Sequence, residues 1–164
     1  MLVLTKVIEG VESVETQVVL PFGLRKKCRF RTVSEMGEEI GFFLSRGTIL
    51  KDGDCVSSAD GRVVRVKAQE EELLHIEQGE SMSLTHLAYH LGNRHISIEI
   101  ERDSLRISRD DVLADMLTGL GAKLKVIFAP FHPVKGAYGG GHSHGPEHGK
   151  GRGPVIHEFG TLKR

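Results

Sequence analysis

Histidine is the residue type with the most specific chemistry in this sequence, and its distribution is uneven. All nine histidines follow residue 74, and three of them, His142, His144 and His148, fall within seven residues among glycines. A neutral imidazole is a good ligand for nickel, zinc and copper, and a glycine-rich backbone lets several imidazoles reach one ion. This segment therefore indicates metal binding. The alternative is a solvated segment whose histidines bind nothing.

His95 is a second candidate ligand, because it follows a predicted helix and directly precedes an alternating strand. Gly92 is the predicted stop of that helix, which would direct His95 into solvent. One exposed imidazole is a poor metal site, but two imidazoles across a twofold axis form half of a tetragonal or octahedral site. Spacing alone slightly favours the alternative, in which His95 is an ordinary turn residue that binds no metal.

His86 and His90 stand at i and i+4 on the same predicted helix, a spacing that can chelate one metal ion. A zinc-hydrolase helix reads His-Glu-x-x-His, whereas Leu87 occupies the position of the general base here. The pattern therefore favours two polar helix residues. A zinc-dependent hydrolase that uses His86 and His90 remains an alternative.

The elements that must position these histidines belong to the second half of the chain, which the first half precedes as a separate unit. Residues 1–68 are predicted to form a small all-β domain, because short apolar segments alternate with turn signals and no helical periodicity competes. Asp52-Gly53 and Asp60-Gly61 tolerate positive φ, and Pro21 with Gly23 marks another break. The expected strands are 3–7, 16–20, 28–33, 40–44, 55–56 and 63–66.

Residues 69–135 are predicted to form a ferredoxin-like βαββαβ domain with a four-stranded antiparallel sheet and two helices on one face. The expected elements are strand 73–76, helix 84–91, strand 96–100, strand 105–107, helix 112–120 and strand 124–129. In strand 96–100 the isoleucines are expected to face inward and Glu99 outward. Ser108 with Asp111 predicts the cap of the second helix. The predicted fold class is therefore α+β.

Residues 136–164 are predicted to be a flexible tail. Nine of these 29 residues are glycine and only four are Leu, Ile, Val or Phe, too few to offset the entropy of ordering the segment.

Composition limits the remaining possibilities. The chain has 22 basic and 22 acidic residues with no long basic run, so charge makes no general case for nucleic acid. Cys28 and Cys55 are too few for a disulfide framework, which indicates a reducing compartment. Without a secretory signal or an apolar stretch of about 20 residues, the protein is expected to be soluble and cytoplasmic, with no membrane partner.

Several segments together resemble the UreE family of urease accessory proteins, which are nickel metallochaperones. They are residues 88–95 (AYHLGNRH), 111–117 (DVLADML), 130–131 (PF), 136–139 (GAYG) and, in the first domain, 41–54 (GFFLSRGTILKDGD). The resemblance spans both predicted domains and the tail.

The resemblance implies a homodimer formed through the ferredoxin-like domain, with His95 of both chains at a shared nickel site. It implies that the protein is not an enzyme and passes nickel to apo-urease together with the accessory GTPase, while the β domain docks proteins. Further, mobile ligands are expected from the tail histidines, which are His142, His144, His148 and His157.

Two departures from the family refine these expectations. Some members carry extra metal-binding histidines just before the second helix, where this chain has Arg109 and Asp111, so a second site in that domain is not expected. The tail is also poorer in histidine than the richest members, which favours delivery of one or two nickel ions per dimer over storage. Zinc and copper are expected to bind in vitro, since copper(II) has the higher intrinsic affinity for such ligands.

A nucleic-acid-binding module is the last alternative, because the ferredoxin-like fold also hosts RNA binding. An RNA-binding sheet needs aromatic residues on its strands. The strand residues Ile98, Ile100, Leu105 and Ile107 offer none.

Overall fold

A computed structural model describes residues 1–11 and 13–135, and the rest of the chain lies outside the described residues. The first part is a six-stranded sheet. Its strands are β1 (Leu2–Ile8), β2 (Thr16–Leu20), β3 (Arg29–Val33), β4 (Glu39–Phe43), β5 (Cys55–Ser58) and β6 (Val63–Ala68). They lie in the order β2-β6-β5-β1-β4-β3, with parallel pairs β1–β4 and β2–β6 and three antiparallel pairs.

Period-two alternation explains the core of this sheet, because successive strand residues face opposite sides. Leu2 and Leu4 of β1 point into the core, as do Ile40 and Phe42 of the parallel strand β4. Phe30 of β3 stacks on Phe42 with ring centroids 4.5 Å apart. The expected all-β character is confirmed except at the break near Pro21, where a one-turn helix α1 (Phe22–Arg25) forms.

The second part has the predicted ferredoxin-like topology. A fully antiparallel sheet in the order β10-β7-β9-β8 is built from β7 (Glu70–Glu77), β8 (Glu99–Ile100), β9 (Ser104–Ser108) and β10 (Lys123–Pro130). Helices α2 (Leu84–Gly92) and α3 (Asp111–Gly119) bury Leu87, Leu91, Leu113 and Leu117 against the sheet. The predicted α+β fold class is confirmed. No helix in the described part of the chain is both long and apolar enough to cross a membrane.

Two local expectations in this part are wrong. The cap of α3 is Asp110, whose side chain accepts a hydrogen bond from the Leu113 backbone N–H at 3.0 Å, because Ser108 is still paired in β9. The alternation expected for 96–100 also fails at its end, where Glu99 is buried and Ile100 exposed. Glu99 is inside because its carboxylate accepts hydrogen bonds from Arg106 and from the His132 backbone N–H.

A buried cation joins the two parts. Arg25 is 2% exposed, and its guanidinium donates to the carbonyls of Leu20 and Leu50 in the first part and of Phe131, at 2.6 Å, in the second. Phe22 packs edge-to-face on Phe131, with ring centroids 5.2 Å apart. Burial lowers the pKa of Arg25 from its ordinary value. These contacts fix the segment after β10 against the first sheet.

Candidate metal centre

His95 occupies the turn that ends α2, and its backbone is unusual. Its φ is +56°, which makes it the one residue other than glycine with a positive φ in the described part of the chain. The His95 N–H donates to the Gly92 carbonyl at 2.9 Å, and the Ile96 N–H donates to the Leu91 carbonyl at 3.2 Å. These two bonds define a Schellman motif, whose left-handed position is usually glycine.

The prediction that the helix ends here and leaves His95 in solvent is confirmed, but the residue that turns the chain is not the predicted Gly92. Gly92 is the last residue of α2, but the left-handed residue that reverses the chain is His95. The side chain of His95 is exposed, as expected. A left-handed conformation costs a residue with a Cβ about 1–2 kcal/mol. Such strain concentrates at functional sites, where it is retained for what the side chain does.

A cleft of about 260 Å³ opens beside His95. Its wall combines the turn after α2, the β9–α3 turn and α1, so both parts of the chain contribute to it. Its lining residues are Phe22, Lys26, His95, Ile96, Ser97, Ser108, Arg109, Asp110 and Leu113.

Arg109 keeps a fixed positive charge in this cleft. Its guanidinium lies 3.3 Å from an Asp111 carboxylate oxygen and 3.1 Å from a Glu72 carboxylate oxygen. Hydrogen bonds to Asp111 and Glu72 raise the pKa of Arg109 above its ordinary value. These two carboxylates offset its positive charge.

Large apolar side chains are exposed at the same end of the ferredoxin-like part. Tyr89, on the last turns of α2, is 64% exposed, and Val112, on the first turn of α3, is 78% exposed. Phe128 of β10 is 66% exposed and pairs in register with Glu72, which also binds Arg109 of the cleft. A contiguous apolar patch is typical of a protein interface, and these three side chains are the candidates for one at this end.

The root of the tail also lies near His95. The Val134 backbone N–H donates to the Ile98 carbonyl at 2.8 Å, and Ile98 is three residues beyond His95. His142 is eight residues beyond Val134, a contour of at most about 29 Å at 3.3–3.6 Å per residue. The last described residues therefore lie beside the segment that follows His95. His142, His144, His148 and His157 themselves lie outside the described residues.

The other described histidines, His75, His86, His90 and His132, do not line the cleft beside His95. His86 is exposed and its Nδ1 lies 2.9 Å from the Ser83 hydroxyl at the start of α2. His75 lies on the helix-free face of the sheet, with Nε2 3.3 Å from a Glu77 carboxylate oxygen. His132 is exposed and lines a different cavity, of about 530 Å³, between the two parts. Within residues 1–11 and 13–135, no three His, Cys, Asp or Glu side chains are grouped to hold a metal ion.

The structure also changes the argument about nucleic acid. Leu105 and Ile107 point toward the helices and are buried, so they do not belong to the helix-free face of the sheet. On that face, Leu73 is covered by Phe22 and Phe131. No aromatic stacking platform is available there in the described part of the chain.

Sequence reasoning missed the residues that hold these elements together. Arg25 and Phe131 are 106 residues apart, and no local pattern in the sequence links them. Glu99 resembles the solvent-facing position of an alternating strand, and only the segment after β10 supplies its backbone partner. The strained φ of His95 has a visible signal, since Asn93-Arg94-His95 contains no glycine after the helical periodicity ends.

Comparison with known proteins identifies the family. The family model described as "UreE urease accessory protein, N-terminal domain" matches residues 5–69, and the model of the C-terminal domain of the same family matches residues 71–159. The urease accessory protein UreE of Azotobacter vinelandii strain DJ is 45% identical over 152 residues, which cover 91% of this chain and 92% of that protein.

Two further relatives match over almost their whole length. The urease accessory protein UreE of Pseudomonas fluorescens strain Pf0-1 is 44% identical over 165 residues, covering 98% of this chain and 99% of that protein. That of Ectopseudomonas mendocina strain ymp is 42% identical over 166 residues, covering 99% of this chain and all of that protein. These are accessory proteins and not enzymes. The chain belongs to the UreE urease accessory protein family.

Proposed function

We propose that this protein is a cytoplasmic nickel metallochaperone that delivers Ni(II) to apo-urease, acting with the accessory GTPase. The observation that carries the proposal is His95, an exposed imidazole held in a left-handed turn where glycine is the usual residue. A left-handed backbone at a residue other than glycine costs free energy, and such strain is concentrated at functional sites. Nickel is the cargo, and imidazole is a ligand suited to it.

The functional unit is a homodimer in which His95 of each chain faces the same ion. The apolar side chains of Tyr89, Val112 and Phe128 supply a surface at the His95 end of the ferredoxin-like part. A twofold interface buries one patch against its own copy, so a ligand near the axis meets its counterpart. One residue per chain then gives two fixed ligands.

The tail supplies the remaining ligands in this proposal. Its root at Val134 lies beside the segment that follows His95. The chain from Val134 to His142 can extend to about 29 Å, and His144, His148 and His157 lie farther along it. Two fixed imidazoles hold the ion, while tail ligands can be replaced one at a time by ligands of the receiving protein. This arrangement combines retention with release.

The test is a calorimetric nickel titration of the full chain beside His95→Ala and His132→Ala, all at one chain concentration. His132 is a matched control, because it is also exposed but lines a different cavity, and only its backbone N–H contacts Glu99. We expect one tight ion per two chains in the wild type and in His132→Ala, and loss of that site in His95→Ala. Unchanged binding in His95→Ala would refute the shared site.

Transfer is tested with the same variants. Nickel-loaded protein is mixed with apo-urease and the GTPase at limiting free nickel, and urease activity is followed. We expect His132→Ala to activate urease as the wild type does and His95→Ala to fail. Equal activation by both variants would show that His95 plays no part in delivery.

The affinity should also depend on pH. Imidazole binds nickel only when neutral, so affinity is expected to fall as the pH drops through about 6.5. Unchanged nickel affinity at pH 5.5 would contradict a site dominated by histidine.

A further inference from the structure

The turn after α1 and strand β3 carry a local excess of positive charge in a chain that is neutral overall. Four basic residues, Lys26, Lys27, Arg29 and Arg31, occur within six positions, and all four are exposed. None of them forms an ion pair with a carboxylate in the described part of the chain. We refer to these four residues as the basic strip.

The basic strip begins at the candidate metal centre. Lys26 lines the cleft that also contains His95, and its ammonium group lies 5.7 Å from the centroid of the Phe22 ring. From there the chain runs through Lys27 into β3, where Arg29 and Arg31 occupy alternate positions. At 3.3 Å per strand residue, Arg31 lies up to about 17 Å from Lys26. The strip therefore leads from the His95 cleft onto the first sheet.

An apolar surface lies beside the outer end of the strip. Arg29 pairs in register with Phe43, and Arg31 pairs with Gly41, which pairs in turn with Val3. Phe43 is 44% exposed and Val3 38%.

The side chain of Phe43 covers Gly41 closely. An ideal Cβ on Gly41 would lie 3.2 Å from Phe43 Cε2 and 3.5 Å from Met1 Sδ, so these two side chains rest on its bare backbone. An aromatic ring between arginines is a composition typical of the centre of a protein–protein interface.

We infer that the basic strip, with the Phe43 surface beside it, is the docking site for an acidic protein surface with apolar side chains at its centre. The inference rests on the proposed function, because docking along the strip would bring the receiving protein to the His95 cleft. Unpaired cations steer and orient an acidic partner.

A protein fits this surface better than a nucleic acid does. The exposed apolar side chains of Phe43 and Val3 would be left without a partner on a phosphate backbone.

The test measures binding of a fluorescein-labelled synthetic peptide, in which aspartates and glutamates flank leucines, to the full chain by fluorescence anisotropy. The variant is Arg29→Glu with Arg31→Glu. The matched control is Arg65→Glu with Lys67→Glu, which has the same spacing and charge change on β6, outside the strip and three strands from β4. We expect at least tenfold weaker binding for the strip variant and less than a twofold change for the control.

A spin label on the peptide adds a distance readout. With the peptide bound, we expect the NMR signals of His95 and Ser97 to broaden more than those of β6. A nickel titration of both variants keeps this inference separate from the proposed function, because the shared His95 site should be unchanged in each.

Three outcomes would overturn the inference. They are failure of the peptide to bind the wild type, equal weakening in both double variants, and tighter binding of a single-stranded RNA of the same charge. If the wild-type protein bound no nickel, that result would instead contradict the proposed function.

Discussion

The left-handed backbone of His95 leads to a prediction that separates its structural cost from its chemical role. Replacement by glycine should stabilise the metal-free protein, whereas the same replacement removes the proposed nickel ligand. The φ of His95 is +56°, and removing its Cβ would remove a cost of about 1–2 kcal/mol from the folded state. The greater freedom of glycine in the unfolded chain offsets about 0.5–1 kcal/mol. We therefore expect the free energy of unfolding to rise by about 0.5–1 kcal/mol in His95→Gly.

Two companion variants test the cause. His95→Ala keeps a Cβ in the same conformation, so its stability should stay within about 0.5 kcal/mol of the wild type. Gly92→Ala should stabilise by up to about 1 kcal/mol, because Gly92 is helical, lacks a positive φ, and has open space where a Cβ would stand. If Gly92 instead had the left-handed conformation that ends the helix, Gly92→Ala would destabilise the protein.

The assay is urea unfolding followed by circular dichroism, with a chelator present and one chain concentration for all variants, because the stability of the proposed dimer would depend on concentration. Nickel titrations of the same samples should show loss of the shared site in both His95 variants and its retention in Gly92→Ala. If His95→Gly were no more stable than His95→Ala, the reasoning from backbone strain would be wrong.

Three further outcomes are expected. Arg25→Met should destabilise the protein by about 2–3 kcal/mol in thermal unfolding, because three carbonyls lose a charged donor, and Arg25→Lys, which lacks the planar fork, should not restore it. Gly79→Ala should destabilise strongly in the same assay, since its Cβ would overlap the Gly121 carbonyl oxygen. Hydrogen bonds from Arg62 lower the pKa of Glu15 and Glu38, so their stabilising effect is present above about pH 4.5 and lost as the pH falls through their lowered pKa values. Arg62→Gln should flatten this acid dependence of the unfolding midpoint, and an unchanged profile would contradict the assignment.

Much of the scaffold follows from the sequence alone. Alternation in the first 68 residues determines a β-sheet, because only one face of each strand can reach a core. The sequence from 69 to 135 specifies βαββαβ through changes between periods of two and 3.6, and the structure confirms that order. His95 was identifiable as a solvent-facing residue, because the connection between a helix and a strand runs over the protein surface.

Tertiary structure decided what those patterns leave open. Glu99 stands where an outward residue is expected, yet it is buried because Arg106 and the backbone of His132 satisfy its carboxylate. Arg25 can be buried only because three carbonyls, one of them 106 residues away, converge on it. Such contacts join residues distant in the chain, and local propensity carries no information about them. The cleft beside His95 likewise exists only when the turn after α2, the β9–α3 turn and α1 are packed together.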